Sequence, residues 1–135
     1  MSKPDLNSSD TGARRKALIY IVDDEPLLSD LAEASLQPAE YEVKQFQDPE
    51  LALETFLAAR PKPDLILSDY AMEKMNGLEL IQKCKAVKPD LKAILISGTA
   101  GADILFDAPV KVDRFLGKPY QPAALLELAR AVLAS

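Results

Sequence analysis

Short apolar runs alternate with stretches of helical spacing along this chain. Ala17–Val22 is continuously apolar, Leu65–Asp69 stays apolar until its last two positions, and Leu91–Ile96 is interrupted by a single lysine. Runs of this length without polar alternation predict strands buried on both faces, as in a parallel sheet. Tyr41–Phe46 alternates instead, with Tyr41, Val43 and Gln45 on one side, and predicts an edge strand. Val112–Leu116 is a fifth, short stretch. Helices fall between these runs. Pro26 fits a first helical turn, where its missing N–H costs nothing, and Leu28, Leu31, Ala32 and Leu36 follow at helical spacing until Pro38. Asp48-Pro49 predicts a cap and a helix start, with Leu53, Phe56 and Leu57 as the apolar stripe. Asn76-Gly77 opens a helix carrying Leu78, Ile81 and Cys84. Pro122 opens a last one with Leu125, Leu128, Ala129 and Val132 inward.

Strand and helix thus alternate five times, which predicts one α/β domain with a parallel sheet and helices on both faces. Right-handed crossovers bring every strand's carboxyl end to the same edge. The segment between Ser97 and Val112 fits least well. Gly98, Gly101 and Pro109 leave room for only about two helical turns, so the fourth helix is expected to be short or irregular. Residues 1–16 are polar and predict a disordered tail, leaving residues 17–135 as the folded domain.

The strand ends carry the chemistry. The first ends in Asp23-Asp24, the third in Asp69, the fourth in Ser97, and the fifth leads to Lys118. On a parallel sheet these groups converge on one crevice, where ligands bind. Three carboxylates brought together raise one another's pKa values or call for a cation. The chain has no histidine and one cysteine, Cys84, which the helical spacing turns toward the core. Any metal site is therefore an oxygen site, suited to magnesium, calcium or manganese. A lysine and a hydroxyl beside such a cluster form a receptor for a phosphoryl group, and an aspartate can be the nucleophile that accepts it. The net charge of -5 offers no basic footprint for nucleic acid or an anionic membrane, and no apolar run is long enough to span a bilayer. Of the tyrosines Tyr20, Tyr41, Tyr70 and Tyr120, only Tyr70, next to Asp69, is expected to border the crevice.

Taken in order, Val22-Asp23-Asp24, Asp69 with Met72 and Gly77, Ile94-Leu95-Ile96-Ser97-Gly98, and Phe115-Leu116-Gly117-Lys118-Pro119 resemble the receiver domain of two-component response regulators over about residues 17–134. The resemblance implies a flavodoxin-like, doubly wound five-stranded sheet. Its strand order would be 2-1-3-4-5, the order known for flavodoxin and a chemotaxis receiver. It implies that Asp69 accepts a phosphoryl group from a phosphohistidine on a sensor histidine kinase or a histidine phosphotransfer protein. Asp24 would bind Mg²⁺ (or Mn²⁺) directly and Asp23 mostly through water, with Asp69 and the backbone carbonyl of Ala71 completing the protein ligands. Lys118 would pair with the phosphoryl oxygens, its bond to Pro119 being cis. Ser97 would hydrogen-bond the phosphoryl group, and Phe115 would turn inward as the switch aromatic, presenting a surface to a downstream protein. Gly98 would leave room beside Ser97.

The sequence departs from the family pattern at Glu73, where proline is usual, and at Phe115, which has no hydroxyl. The weak fourth helix implies an altered output face. Ala71 and Thr99, two residues beyond Asp69 and Ser97, give little to orient a hydrolytic water, so the phosphorylated state is expected to be long-lived. The expected setting is cytoplasmic, with no nucleic-acid or membrane partner and no turnover of small substrates. The receiver is expected to stand alone or to come from a larger hybrid protein. Other readings include a receiver kept as a non-phosphorylated scaffold and a metal-dependent aspartyl phosphohydrolase. The latter typically needs a second acid where Ala71 stands. A nucleotide- or flavin-binding module would want a glycine-rich loop in place of Asp23-Asp24-Glu25.

Overall fold

The computed structural model describes residues 16–98 and 111–135. They contain strands β1 (Leu18–Val22), β2 (Glu42–Phe46), β3 (Leu65–Asp69), β4 (Lys92–Ser97) and β5 (Arg114–Gly117). The described helices are α1 (Pro26–Leu36), α2 (Pro49–Ala58), α3 (Gly77–Val87) and α4 (Pro122–Ala134). All neighbours pair in parallel in the order β2-β1-β3-β4-β5, the expected 2-1-3-4-5 flavodoxin-like arrangement. The short helix expected between Ser97 and Val112 falls almost wholly outside the described residues, as does the expected tail except for Lys16.

The unbroken apolar runs follow from burial on both faces, because successive side chains point to opposite sides of a strand. Tyr20, Val22, Ile66, Ala93 and Leu95 meet Phe56, Leu80, Ile81 and Cys84 from α2 and α3. On the other face Ile19, Ile21, Leu65, Leu67, Ile94 and Ile96 meet Ala32 and Leu36 of α1 and Leu125, Ala129 and Val132 of α4. Each fully buried Leu or Ile stabilises the fold by about 1.5–3 kcal/mol relative to exposure. β2 is an edge strand, as its alternation predicts, and its exposed Glu42 and Lys44 discourage pairing with another chain.

Two helix stripes differ from expectation. Leu31 is 40% exposed, because the face of α1 that meets the sheet is set by Ala32, Leu36 and the small buried Ser29 and Ser35. Leu57 is 50% exposed, because Pro49, Ala52 and Phe56 form the buried side of α2. The last strand begins at Arg114 rather than Val112. Before it, the Asp113 carboxylate accepts the Ala93 N–H at 2.8 Å while Asp113 N–H donates to Ala93 O at 2.9 Å.

Candidate functional site

Four strands (β1, β3, β4 and β5) and the turns after them build the site. Asp23 follows β1, and its N–H continues the ladder to Phe46 O at 3.0 Å. Asp69 is the last residue of β3, and Lys118 follows β5 with its N–H donating to Ser97 O at 2.9 Å. The parallel register aligns Asp69 with Ile96 and Ser97 with Gly117, so these strands end at one edge.

The turn after Asp69 is held from both ends. Tyr70 N–H donates to Ile96 O at 2.8 Å, and Gly77 N–H to Tyr70 O at 2.9 Å. Met72 and Met75 pack against the α2–α3 side of the core. Asn76 and Glu79 form a reciprocal capping box, each side chain accepting the other's N–H at 2.9 Å. Gly77 is required by close approach. A Cβ there would run into the carbonyl oxygen of Asp69 and lie 2.7 Å from Leu95 Cδ1. Lys74 has a left-handed backbone (φ 72°), and its ammonium lies 3.4 Å from Asp48 and 3.8 Å from Glu50.

Asp23, Asp24 and Asp69 each direct a carboxylate oxygen into one cluster whose atoms lie within 4.8 Å of one another. Asp23 and Asp69 are buried and Asp24 is half-buried. Lys118 Nζ is 2.9 Å from Asp69 Oδ1 and 4.0 Å from Asp23 Oδ2. Asp23 also accepts Glu25 N–H at 2.9 Å, and Asp24 accepts Glu73 N–H at 3.3 Å. Burial pushes the Asp23 carboxyl up to about 6. The charges of Asp69 and Asp24 add to that rise, and the Glu25 N–H and Lys118 oppose it. Burial works to lower the Lys118 ammonium, but its hydrogen bond to Asp69 and the charges of Asp69, Asp23 and Glu25 hold it above the usual lysine range.

Three carboxylates facing one ammonium leave an excess of negative charge in a partly dry crevice. The donors are all oxygen, so the set fits a hard divalent cation that keeps part of its water shell. Ser97 is buried beside Lys118's strand turn, and Ala71 lies exposed on the turn two residues past Asp69. Phe115 is half-buried and packs toward the α2–α3 side of the sheet. The Lys118–Pro119 peptide is cis, as the resemblance implies, and so is Arg60–Pro61. Gly98 has its nearest steric neighbour, Lys118 Cβ, at 3.8 Å from where its own Cβ would be.

The tyrosine expectation needs correcting. Tyr70 leans on the α2–α3 core, whereas Tyr120 joins Asp23, Asp69 and Lys118 in lining a small cavity of about 20 Å³ under the site. Burial and the charge of Asp23 raise its hydroxyl above the ordinary range. Tyr120 stands only two residues past Lys118, a nearness that could have marked it.

Fold and acidic crevice together define a signalling receiver. The chain belongs to the response regulator receiver domain family, whose model matches residues 19–130. It is similar to the chemotaxis protein CheY of Thermotoga maritima (27% identical, covering 84% of this chain and 95% of that one). It is also similar to the DNA-binding regulator RpaA of Synechocystis sp. (31% identical, covering 85% of this chain and 48% of RpaA). The chain spans between 19% and 49% of the length of three further-reaching curated relatives. Among solved structures, a CheY-like receiver domain from Methanospirillum hungatei superposes with a TM-score of 0.80 at 27% identity, covering 89% of this chain and 95% of that one. Receiver domains bind Mg²⁺ at this acidic pocket, and they work with histidine kinases or phosphotransfer proteins and with downstream targets. No described helix is long and apolar enough to cross a membrane.

Proposed function

We propose that this receiver takes a phosphoryl group onto Asp69 from a phosphohistidine of a sensor kinase or phosphotransfer protein. The observation that carries the reading is Lys118 Nζ at 2.9 Å from Asp69 Oδ1 beside the Asp23–Asp24 carboxylates. A carboxylate oxygen of Asp69 forms the new P–O bond as the bond from phosphorus to the donor nitrogen breaks, giving an acyl phosphate. Lys118 passes from Asp69 to the incoming phosphoryl oxygens, and Ser97 donates its hydroxyl to another. Asp23, Asp24, Asp69 and the Ala71 carbonyl would hold Mg²⁺, which when bound neutralises charge on the transferring group. Phe115 then repacks as Ser97 is drawn inward, altering a surface read by a downstream protein. Ala71, exposed and without a polar group, gives no second acid for turnover on small phosphates.

The test is incubation with acetyl phosphate and Mg²⁺, read by mass. A gain of one phosphoryl group in wild type and none in Asp69→Asn is expected. No Mg²⁺-dependent modification at Asp69 would leave the protein a scaffold.

A further inference from the structure

Two exposed acidic residues follow the site aspartates and lie outside the ligand cluster: Glu25, after Asp23-Asp24, and Glu73, on the turn after Asp69. Both are tied to the site through their backbones. Glu25 N–H donates to Asp23, and Glu73 N–H donates to Asp24 at 3.3 Å. The one cation on the turn, Lys74, is turned away to Asp48 and Glu50, so it does not offset Glu73. The turns that flank the aspartate cluster therefore add negative charge, even though the residue that must meet the phosphate, Lys118, is positive.

We infer that Glu73, with Glu25, makes the site discriminate among phosphoryl donors by their charge, disfavouring dianionic donors relative to monoanionic ones. This rests on the phosphoacceptor reading of Asp69. With acetyl phosphate, Asp69 displaces acetate from phosphorus. With phosphoramidate, it displaces ammonia from the zwitterion. In both cases the donor's P–O or P–N electron pair leaves with the departing group and the product is the same acyl phosphate. The bond chemistry on the protein side is thus identical, while acetyl phosphate approaches as a dianion and phosphoramidate as a monoanion.

The experiment measures second-order rate constants for both donors on the whole chain, at Mg²⁺ concentrations saturating for each variant, in low and high salt. At low salt, Glu73→Gln raises the acetyl phosphate constant about fourfold and the phosphoramidate constant about twofold, since repulsion scales with donor charge. Glu73→Lys raises them about sixteenfold and about fourfold on the same scaling, and high salt compresses both series. Glu54→Lys, an exposed change on α2 remote from the site, leaves the donor ratio unchanged. Equal changes for both donors, or none, would overturn the inference while leaving Asp69 the acceptor. Absence of any modification by either donor in wild type would overturn the acceptor reading and this inference with it.

Discussion

The two edges of the sheet use aspartate in opposite ways. At the amino edge, Asp64 precedes β3 and accepts the Leu18 N–H at 2.8 Å. Asp113 precedes β5, accepts the Ala93 N–H at 2.8 Å and lies 3.6 Å from Lys85. These carboxylates complete the backbone ladder where it begins, and their charge is spent on neighbours. At the carboxyl edge, Asp23, Asp24 and Asp69 crowd within 4.8 Å with one lysine among them. The difference teaches that a functional carboxylate is recognised by what its neighbours leave uncompensated, not by burial or by an ion pair alone. Asp113 has an ion pair too, yet among the described residues it joins no cluster of carboxylates.

The carboxyl edge keeps its unbalanced charge because its backbone is held tightly, so the largest effect comes from prying it open. Gly77→Ala forces a Cβ against the Asp69 carbonyl and Leu95, and is expected to cost about 3 kcal/mol as overpacking. Urea denaturation measures it, and a loss under about 1 kcal/mol would mean that α3 is free to slide away from β3.

Next comes a contrast of sign. At pH 7 without metal, Asp23→Asn is expected to stabilise the fold by about 2 kcal/mol, since it removes a charge that burial disfavours. Asp113→Ala is expected to destabilise it by about 1–2 kcal/mol, by stranding the Ala93 N–H. Mg²⁺ titration separates the pair further, with affinity weakened in the first and unchanged in the second. Destabilisation by both substitutions would erase the distinction between the edges.

The pH dependence follows the same line. Folding raises the Asp23 pKa from 3.8 to about 6, so between those values the folded state binds more protons than the unfolded one. Stability contributed by this group is therefore highest below about pH 4, falls as pH rises, and has fully gone above about pH 6–7. Metal-free unfolding should show this fall across pH 4–7 in wild type and a flatter profile in Asp23→Asn. Carboxylates remote from Asp23 add their own slopes, which the difference between the two proteins cancels.

Much of this is legible in the sequence, for identifiable reasons. The strands announced themselves because both sheet faces are covered, so β1, β3 and β4 carry almost no polar interruption. The site was readable because a parallel sheet gathers strand ends, and Asp23, Asp24, Asp69 and Lys118 each sit at one. Helix faces were less so. Leu31 and Leu57 satisfy helical spacing yet lie outside the contact faces, because Ser29, Ser35 and Ala52 let the helices sit close to the sheet. Tyr120 escaped because nearness in sequence favoured Tyr70, while the path of the chain after Lys118 brings Tyr120 beneath the carboxylates.

The smallest effect concerns how long the proposed acyl phosphate lasts. Its hydrolysis needs a water in line with phosphorus, on the side away from the Asp69 oxygen, and that water benefits from a group that orients it. On the turn after Asp69 the exposed methyl of Ala71 can neither donate nor accept a hydrogen bond. At the position of Ala71 the turn thus offers no polar group that would assist loss of the proposed phosphoryl group. Ala71→Asn adds an amide at that position without altering Asp23, Asp24, Asp69 or Lys118. It is expected to shorten the half-life of the phosphorylated protein about tenfold, equivalent to about 1.4 kcal/mol in barrier height, with the rate of acceptance changed much less. Mass spectrometry of the decaying phosphoprotein after donor removal measures it. An unchanged half-life would show that something other than a missing orienting group limits the water.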